Sequence, residues 1–238
     1  MRIDANGIEY QKLNRMIKDC EGEVTIDNCI GQRYIASGSR GQKITIHGTP
    51  GNALGAYLDG SEITVYGNVQ EATGDTMNAG SIVVHGSAGD GLGYAMRGGK
   101  IYIKESAGYR TGIHMKEYKS KKPVIIIGET AGSFLGEYLA GGLIVVLGLT
   151  AKGQLIGNFP GTGMHGGKMF LRSENLPINF PPQISMSVAT QSDLAEIEDY
   201  LKEFCTIFSI NYSNIMKSKF KMLRPNNANP YHQLYVPN

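Results

Sequence analysis

Apolar residues in this chain fall in short alternating runs that close, again and again, on glycine or a polar residue. The runs are Ile44-Thr45-Ile46-His47-Gly48, Ile63-Thr64-Val65-Tyr66-Gly67, Ile82-Val83-Val84-His85-Gly86, Ile101-Tyr102-Ile103-Lys104-Glu105, Val124-Ile125-Ile126-Ile127-Gly128, Ile144-Val145-Val146-Leu147-Gly148 and Met169-Phe170-Leu171-Arg172-Ser173. Their closing positions are 48, 67, 86, 105, 128, 148 and 173, in steps of 19, 19, 19, 23, 20 and 25 residues. One strand per unit at a period near 20 is the mark of a solenoid, whose units bury their apolar faces by stacking.

Side chains alternate faces along a strand. Aligned on their closing positions, the runs give two apolar ladders, Ile44, Ile63, Ile82, Ile101, Val124, Ile144, Met169 and Ile46, Val65, Val84, Ile103, Ile126, Val146, Leu171, which are assigned to the interior. The outward positions are polar in the early units (Thr45, His47, Thr64, Tyr66) and apolar in the middle and late ones (Ile125, Ile127, Val145, Leu147, Phe170). An apolar outer face needs a cover. The C-terminal region is the expected cover, with another subunit as the alternative. The predicted fold is all-β: a single-stranded right-handed parallel β-helix with flanking N- and C-terminal helices. Its expected parts are an N-terminal helical cap over 1–22, the glycine-rich β-helix over 23–173, and a C-terminal crossing segment, amphipathic helix and arm over 174–238.

The flanks follow helical periodicity. Residues 6–19 predict a helix with Asn6 as N-cap, Glu9 as its capping-box partner, Tyr10, Leu13 and Ile17 on one face and Gly22 as the stop. Pro177, Pro181 and Pro182 mark an extended crossing. Residues 191–208 predict an amphipathic helix, capped by Thr190 with Asp193 and carrying Leu194, Ile197, Leu201, Phe204 and Phe208 on its apolar stripe. A short helix follows around 212–221, and from Arg224 the composition suits an arm or tail.

Glycine is the compositional outlier, 32 of 238 residues, without the every-third spacing of collagen. The formal charge of +2 comes with no basic stripe interleaved with aromatics, so no nucleic acid is expected. No apolar run reaches 18 residues, so no membrane span is expected. Met1 to Ala5 lacks the apolar core of a signal peptide, and the scattered Cys20, Cys29 and Cys205 fit a reducing compartment, so a cytoplasmic location is expected.

Candidate chemistry is sparse. Gly89-Asp90-Gly91-Leu92-Gly93 has the look of a nucleotide fingerprint, but no strand feeds it and no amphipathic helix follows, so it reads as a bend. His47 and His85 share an outward column two units apart, about 10 Å by strand spacing, with Tyr66 between; that is a surface ladder rather than a metal site. The loop Gly112-Ile113-His114-Met115-Lys116-Glu117-Tyr118, followed by Lys119, Lys121 and Lys122, reads first as the closure of a longer coil and second as an anion or partner surface carried by His114, Lys116, Glu117 and Tyr118. His165, in the second long bend 157–167, joins that candidate surface. Gly51, Gly55, Gly93, Gly132, Gly136, Gly141 and Gly142 are read as structural. No nucleophile–base–orienter set and no recurring carboxylate cluster stand out.

The segments 50–57, 93–101, 136–142 with Val145-Val146-Leu147-Gly148, and Gly163-Met164-His165-Gly166-Gly167 carry a family likeness. The chain resembles the C-terminal β-helix domain of the glutamate synthase large subunit over about 25–172, and is similar to the form in which that domain is a separate polypeptide. The resemblance implies a structural, non-catalytic component. The amidotransferase and the FMN and iron–sulfur barrel would be other chains, with no catalytic, cofactor or metal residue carried over to this one. A homo-oligomer also stays open. A β-helix subunit of a formylmethanofuran dehydrogenase and a free-standing ligand-binding β-helix are the alternatives.

Overall fold

The computed structural model describes residues 1–174, 176 and 180–226. Pro177 and the arm expected beyond Asn226 lie outside them. The chain opens with β1 (Arg2–Asp4) and α1 (Tyr10–Lys18), then β2 (Glu23–Ile30), β3 (Lys43–Thr49), β4 (Asp59–Tyr66), β5 (Ala79–Val84), β6 (Lys100–Ile103), β7 (Val124–Ile127), β8 (Ala140–Val146) and β9 (Gly166–Arg172). It closes with β10 (Ile184–Val188), α2 (Gln191–Ala195), α3 (Glu198–Phe208), α4 (Tyr212–Met216) and β11 (Phe220–Pro225). One sheet holds all the strands, in the order β1 through β9, then β11, then β10. Pairing is parallel from β1 to β9, one strand per coil, as the repeat predicts. A second ladder, one residue wide, joins Val69, Ala88, Ala107, Ala131 and Ile156 on another side of the coils.

The inward ladders form as predicted at Ile44–Ile63–Ile82–Ile101 and Ile46–Val65–Val84–Ile103. The fifth run is a correction. Lys100 pairs with Val124, so Ile101 meets Ile125 and Ile103 meets Ile127. Ile125 and Ile127 join the interior, while Val124 and Ile126 point outward. Four consecutive apolar side chains carry no face information, and the preceding loop, longer than its neighbours, moves the closing glycine by one position.

The flanks bring further corrections. β1, within the span predicted as a helical cap, adds a strand parallel to β2. Asn6 does not cap α1; Glu9 holds the N-cap position with no side-chain hydrogen bond, and Asp19 ends the helix before Gly22. The crossing segment contains β10, and the short helix expected around 212–221 ends at Met216, its last two positions opening β11, which is antiparallel to β9 and β10. The predicted 191–208 helix is two pieces, α2 and α3, with the Thr190–Asp193 capping box in place.

The cover is where the pattern demanded it. Ile197, Leu201, Phe204 and Phe208, with Ile215 and Phe220, bury Val83, Tyr102, Ile126, Val145 and Phe170 in a cluster separate from the solenoid interior. Glu203 fastens α3: Lys100 Nζ donates to it at 2.7 Å and the buried Tyr102 hydroxyl at 2.9 Å. Lys168 does the same at α2 through Glu196.

Candidate functional site: the bend edge and its long loop

Each coil turns back towards its next strand through five residues in which the first, third and fifth have positive φ. The series is Tyr34/Ala36/Gly38, Ala53/Gly55/Tyr57, Ala72/Gly74/Thr76, Gly91/Gly93/Ala95, Arg110/Gly112/His114, Phe134/Gly136/Tyr138 and Phe159/Gly161/Gly163. The hydrogen bonds explain the alternation. The outer two N–H groups donate to the following coil, as Ala53 N to Glu71 O and Tyr57 N to Asp75 O, whereas the middle one donates to the preceding coil, as Gly55 N to Ile35 O. The same three bonds recur at the bends over 72–76, 91–95, 110–114 and 134–138.

The middle position also faces the core. A Cβ at Gly93 would lie 2.5 Å from Ile125 Cδ1, and one at Gly136 2.7 Å from Met169 Sδ, so glycine is needed for space as well as for φ. Most outer positions, Ala53 and Gly163 excepted, are at least partly exposed and tolerate side chains at some cost in backbone energy. They are where the chain displays aromatic and charged groups. Gly141 and Gly142, by contrast, let Glu117 approach: its backbone N would be 2.6 Å from a Cβ on Gly141, and its Oε1 accepts the Gly142 N–H at 3.0 Å. Gly51 and Gly132 likewise lie against the backbone of the preceding coil.

The predicted surface residues divide accordingly. His114, at the last position of its bend, stacks on Tyr138 (centroids 4.9 Å, planes 7° apart) and meets the edge of Tyr94 at 5.9 Å. Tyr138 in turn lies over Gly163, where an added Cβ would be 2.5 Å from Tyr138 Cε1. Beside this column Arg110 Nε sits 3.2 Å from Glu137 Oε2, and its guanidinium lies 5.7 Å from the Phe134 ring centre, with Phe134 stacked on Phe159 at 5.3 Å. Glu117 acts as an acceptor for the Gly142 N–H. The backbones of Tyr118 and Lys121 exchange hydrogen bonds of 3.1 and 3.0 Å that close the loop, Lys119 Nζ lies 5.3 Å from the Tyr118 ring centre, and Lys121 Nζ reaches Asp59 at 3.6 Å. Lys116 is exposed. His165 Nδ1 lies 3.1 Å from Gly163 O, on the next bend. The loop residues thus close a coil, while His114 belongs to an aromatic patch formed across successive bends.

The His47–Tyr66–His85 ladder is present, with ring centres 5.1 and 4.5 Å apart, and it ends edge-on against Phe208. Burial, then the Lys104 charge, pushes the His85 imidazole below its usual range. A groove of about 610 Å³ beside it is lined by Thr64, Tyr66, Ser81, His85, Lys100 and Glu203. A second groove, of about 940 Å³, lies between α1 and the first coil, among Asn14, Arg15, Lys18, Arg40 and Gln42. Sequence reasoning missed this groove, because Gln42, which caps the end of α1 through Ile17 O and Cys20 O, gives no periodic signal.

Among the described residues no group of three or more His, Cys, Asp or Glu side chains is placed to hold a metal ion. The buried thiols are not activated: burial raises Cys29 to about 11 and raises Cys205 as well. No helix among the described residues is long and apolar enough to cross a membrane. What the described residues assemble is a rigid ladder with displayed side chains.

Comparison with known proteins gives two matches. The sequence model of the GXGXG motif matches residues 9–228. An uncharacterized protein of Methanocaldococcus jannaschii is 41% identical over 250 residues, covering 99% of this chain and 96% of that protein.

Proposed function

The chain belongs to the GXGXG motif family, that of the C-terminal β-helix domain of the glutamate synthase large subunit, and from this premise we propose that it is a non-catalytic structural subunit of a split glutamate synthase. The family match across nearly the whole chain carries the reading. A second observation supports the split: the M. jannaschii relative is matched over 96% of its own length, which leaves it no room for an amidotransferase or a barrel domain.

In this reading separate polypeptides supply glutamine hydrolysis and the FMN and iron–sulfur chemistry, and the complex converts glutamine and 2-oxoglutarate to two glutamates. This chain contributes rigidity. A stack in which the inner bends are bonded to the coils above and below is a stiff brace on which other domains can be held at fixed separation.

The test is purification of the chain from its native host under gentle conditions, identification of what accompanies it, and assay of the assembly for glutamate formation. Amidotransferase and FMN-barrel chains, with activity that falls when this chain is removed, are the expected result. Subunits of a molybdenum or tungsten enzyme would replace the reading with a formylmethanofuran-type dehydrogenase. Recovery of the chain alone would refute both.

A further inference from the structure

The sheet has two edges, and they are guarded differently. β1, at one edge, is three residues long and carries Arg2 and Asp4, with Arg2 Nε 2.6 Å from Asp27 Oδ2. Short, charged edge strands resist pairing with other segments. β10, at the other edge, is Ile184-Ser185-Met186-Ser187-Val188, five residues with no charge, no proline and an unbroken register against β11. Nothing in its sequence discourages a further strand.

The open side of β10 is defined by its bonds. Ala189 N donates to Phe220 O at 2.9 Å and Asn226 N to Gln183 O at 2.8 Å, so the odd-numbered residues of this segment face β11. In an antiparallel ladder the alternate residues point their N–H and C=O groups away. Met186 and Val188 therefore turn their backbone groups to the open side. Their side chains are open as well. Met186 lies beside Leu223 and Val188 beside Lys221, on the face that continues the inward ladder of Met169 and Leu171. Met169, Leu171 and Leu223 have no exposed surface, whereas Met186 is 44% and Val188 49% exposed. The interior ladder thus ends in two half-open side chains on an edge strand.

We propose that residues 231–236 of this chain add a strand to that edge, parallel to β10. Three features select this occupant. The chain arrives at the right place: Asn226 is bonded to Gln183 O through its N–H and to Pro182 O through its side chain, at the end of β10 where such a strand would begin. The reach suffices, since residues 227–230 span up to about 13 Å, against about 10 Å for two strand spacings. The sequence fits: Tyr231-His232-Gln233-Leu234-Tyr235-Val236 is bounded by Pro230 and Pro237, contains no glycine and includes two tyrosines and a valine, residues that favour strands. Alternation sets Leu234 and Val236 on one face, where they extend the ladder beside Met186 and Val188. Tethering favours this segment over another molecule, because a short linker holds it at an effective concentration in roughly the millimolar range. The pairing is independent of the proposed enzyme complex and needs the purified chain alone.

The experiment is hydrogen exchange of the full chain beside that of a chain ending at Asn226, read at the Met186 and Val188 amides. Strand pairing protects an amide that water otherwise reaches, so both should exchange ~10-fold or more slowly in the full chain than in the shortened one. The Ala189 amide, already bonded to Phe220 O, is the reference and should be equal in both. In the full chain, Leu234→Lys combined with Val236→Lys should speed Met186 and Val188 as the truncation does, and Asn229→Lys, in the connecting turn, should not. Thermal transitions of each variant separate loss of pairing from loss of fold. Equal exchange at Met186 and Val188 in the full and shortened chains would overturn the proposal. So would a double variant in which both amides stay protected. Protection that fades on dilution would overturn it too, by assigning the edge to a second copy.

Discussion

The sheet face of the later coils and the bend edge are built from the same stack, yet they solve opposite problems. On the sheet face the outward positions of β6 to β9 are mostly apolar, with Lys100 and Lys168 among the exceptions, and α3 with β11 removes the apolar ones from water: Tyr102 and Phe170 have no exposed surface. On the bend edge the outward positions carry Tyr94, Tyr138 and Phe159, and they stay open. One apolar surface is covered by its own chain and the other is displayed. Apolar area buried within the chain contributes to folding; apolar area left at the surface is available for association.

The sharpest way to break this comparison is to remove the cover. A chain ending at Ala189 loses α2, α3, α4 and β11. It should expose the second cluster and leave the β9 edge unpaired, and both promote aggregation. Aggregation or higher oligomers in light scattering are expected. A soluble, monomeric truncation would show that the sheet face needs no cover.

A single-residue version compares two phenylalanines. Phe204 is fully buried, edge-on to Tyr102 at 5.9 Å and to Phe208 at 4.8 Å, so Phe204→Ala should cost about 3–5 kcal/mol in denaturant unfolding. Phe159 stacks on Phe134 at the surface, and Phe159→Ala should cost less than about 1 kcal/mol. Equal costs would mean that the bend edge is part of the core rather than a displayed surface.

The backbone offers the next contrast, within a single bend. Gly93→Ala places a methyl against Ile125 at a positive φ and should destabilise by ~2 kcal/mol or more. Ala95→Gly, two residues on at φ 50°, relieves a left-handed alanine, and the entropy of glycine offsets part of the gain, so the net should lie within about 1 kcal/mol of zero, on the stabilising side. Equal and opposite shifts in the thermal midpoint would contradict the division between a core-facing middle position and solvent-facing outer ones.

These contrasts explain what was legible in the sequence. The ladders were, because Ile63-Thr64-Val65 and its neighbours alternate and alternation states a face. The need for a cover was, because Val145 and Phe170 are apolar where Thr45 and Thr64 are polar. The register of β7 was not, since Val124 to Ile127 does not alternate. Most of the outer positive-φ positions were not either: tyrosine, phenylalanine, arginine, histidine, threonine and alanine occupy all but Gly38, Gly91 and Gly163, so most bends showed a central glycine and hid the rest. β11 escaped because Lys221 and Arg224 interrupt its apolar residues and its partner, β9, is remote in sequence. The family resemblance pointed to the right fold, but the aromatic patch exists through contacts between coils, which no single segment displays.

The smallest expected effect lies where the covered and open surfaces meet, at His85, stacked on Tyr66 on one side and touched by Phe208 on the other. Partial burial and Lys104 lower its folded-state pKa, so the folded chain favours the neutral ring. Below the unfolded value of about 6.5 the unfolded chain takes up a proton that the folded chain resists, and unfolding is favoured. The contribution of this group is therefore complete above about pH 6.5 and is lost as pH falls from there through the lower folded-state value. Replacing it with glutamine should flatten the pH dependence of the thermal midpoint in that window and leave the midpoint at pH 8 nearly unchanged. An unaltered slope would place the ring outside the influence of the α3 cover, and the boundary between the two surfaces would then fall at least one coil later.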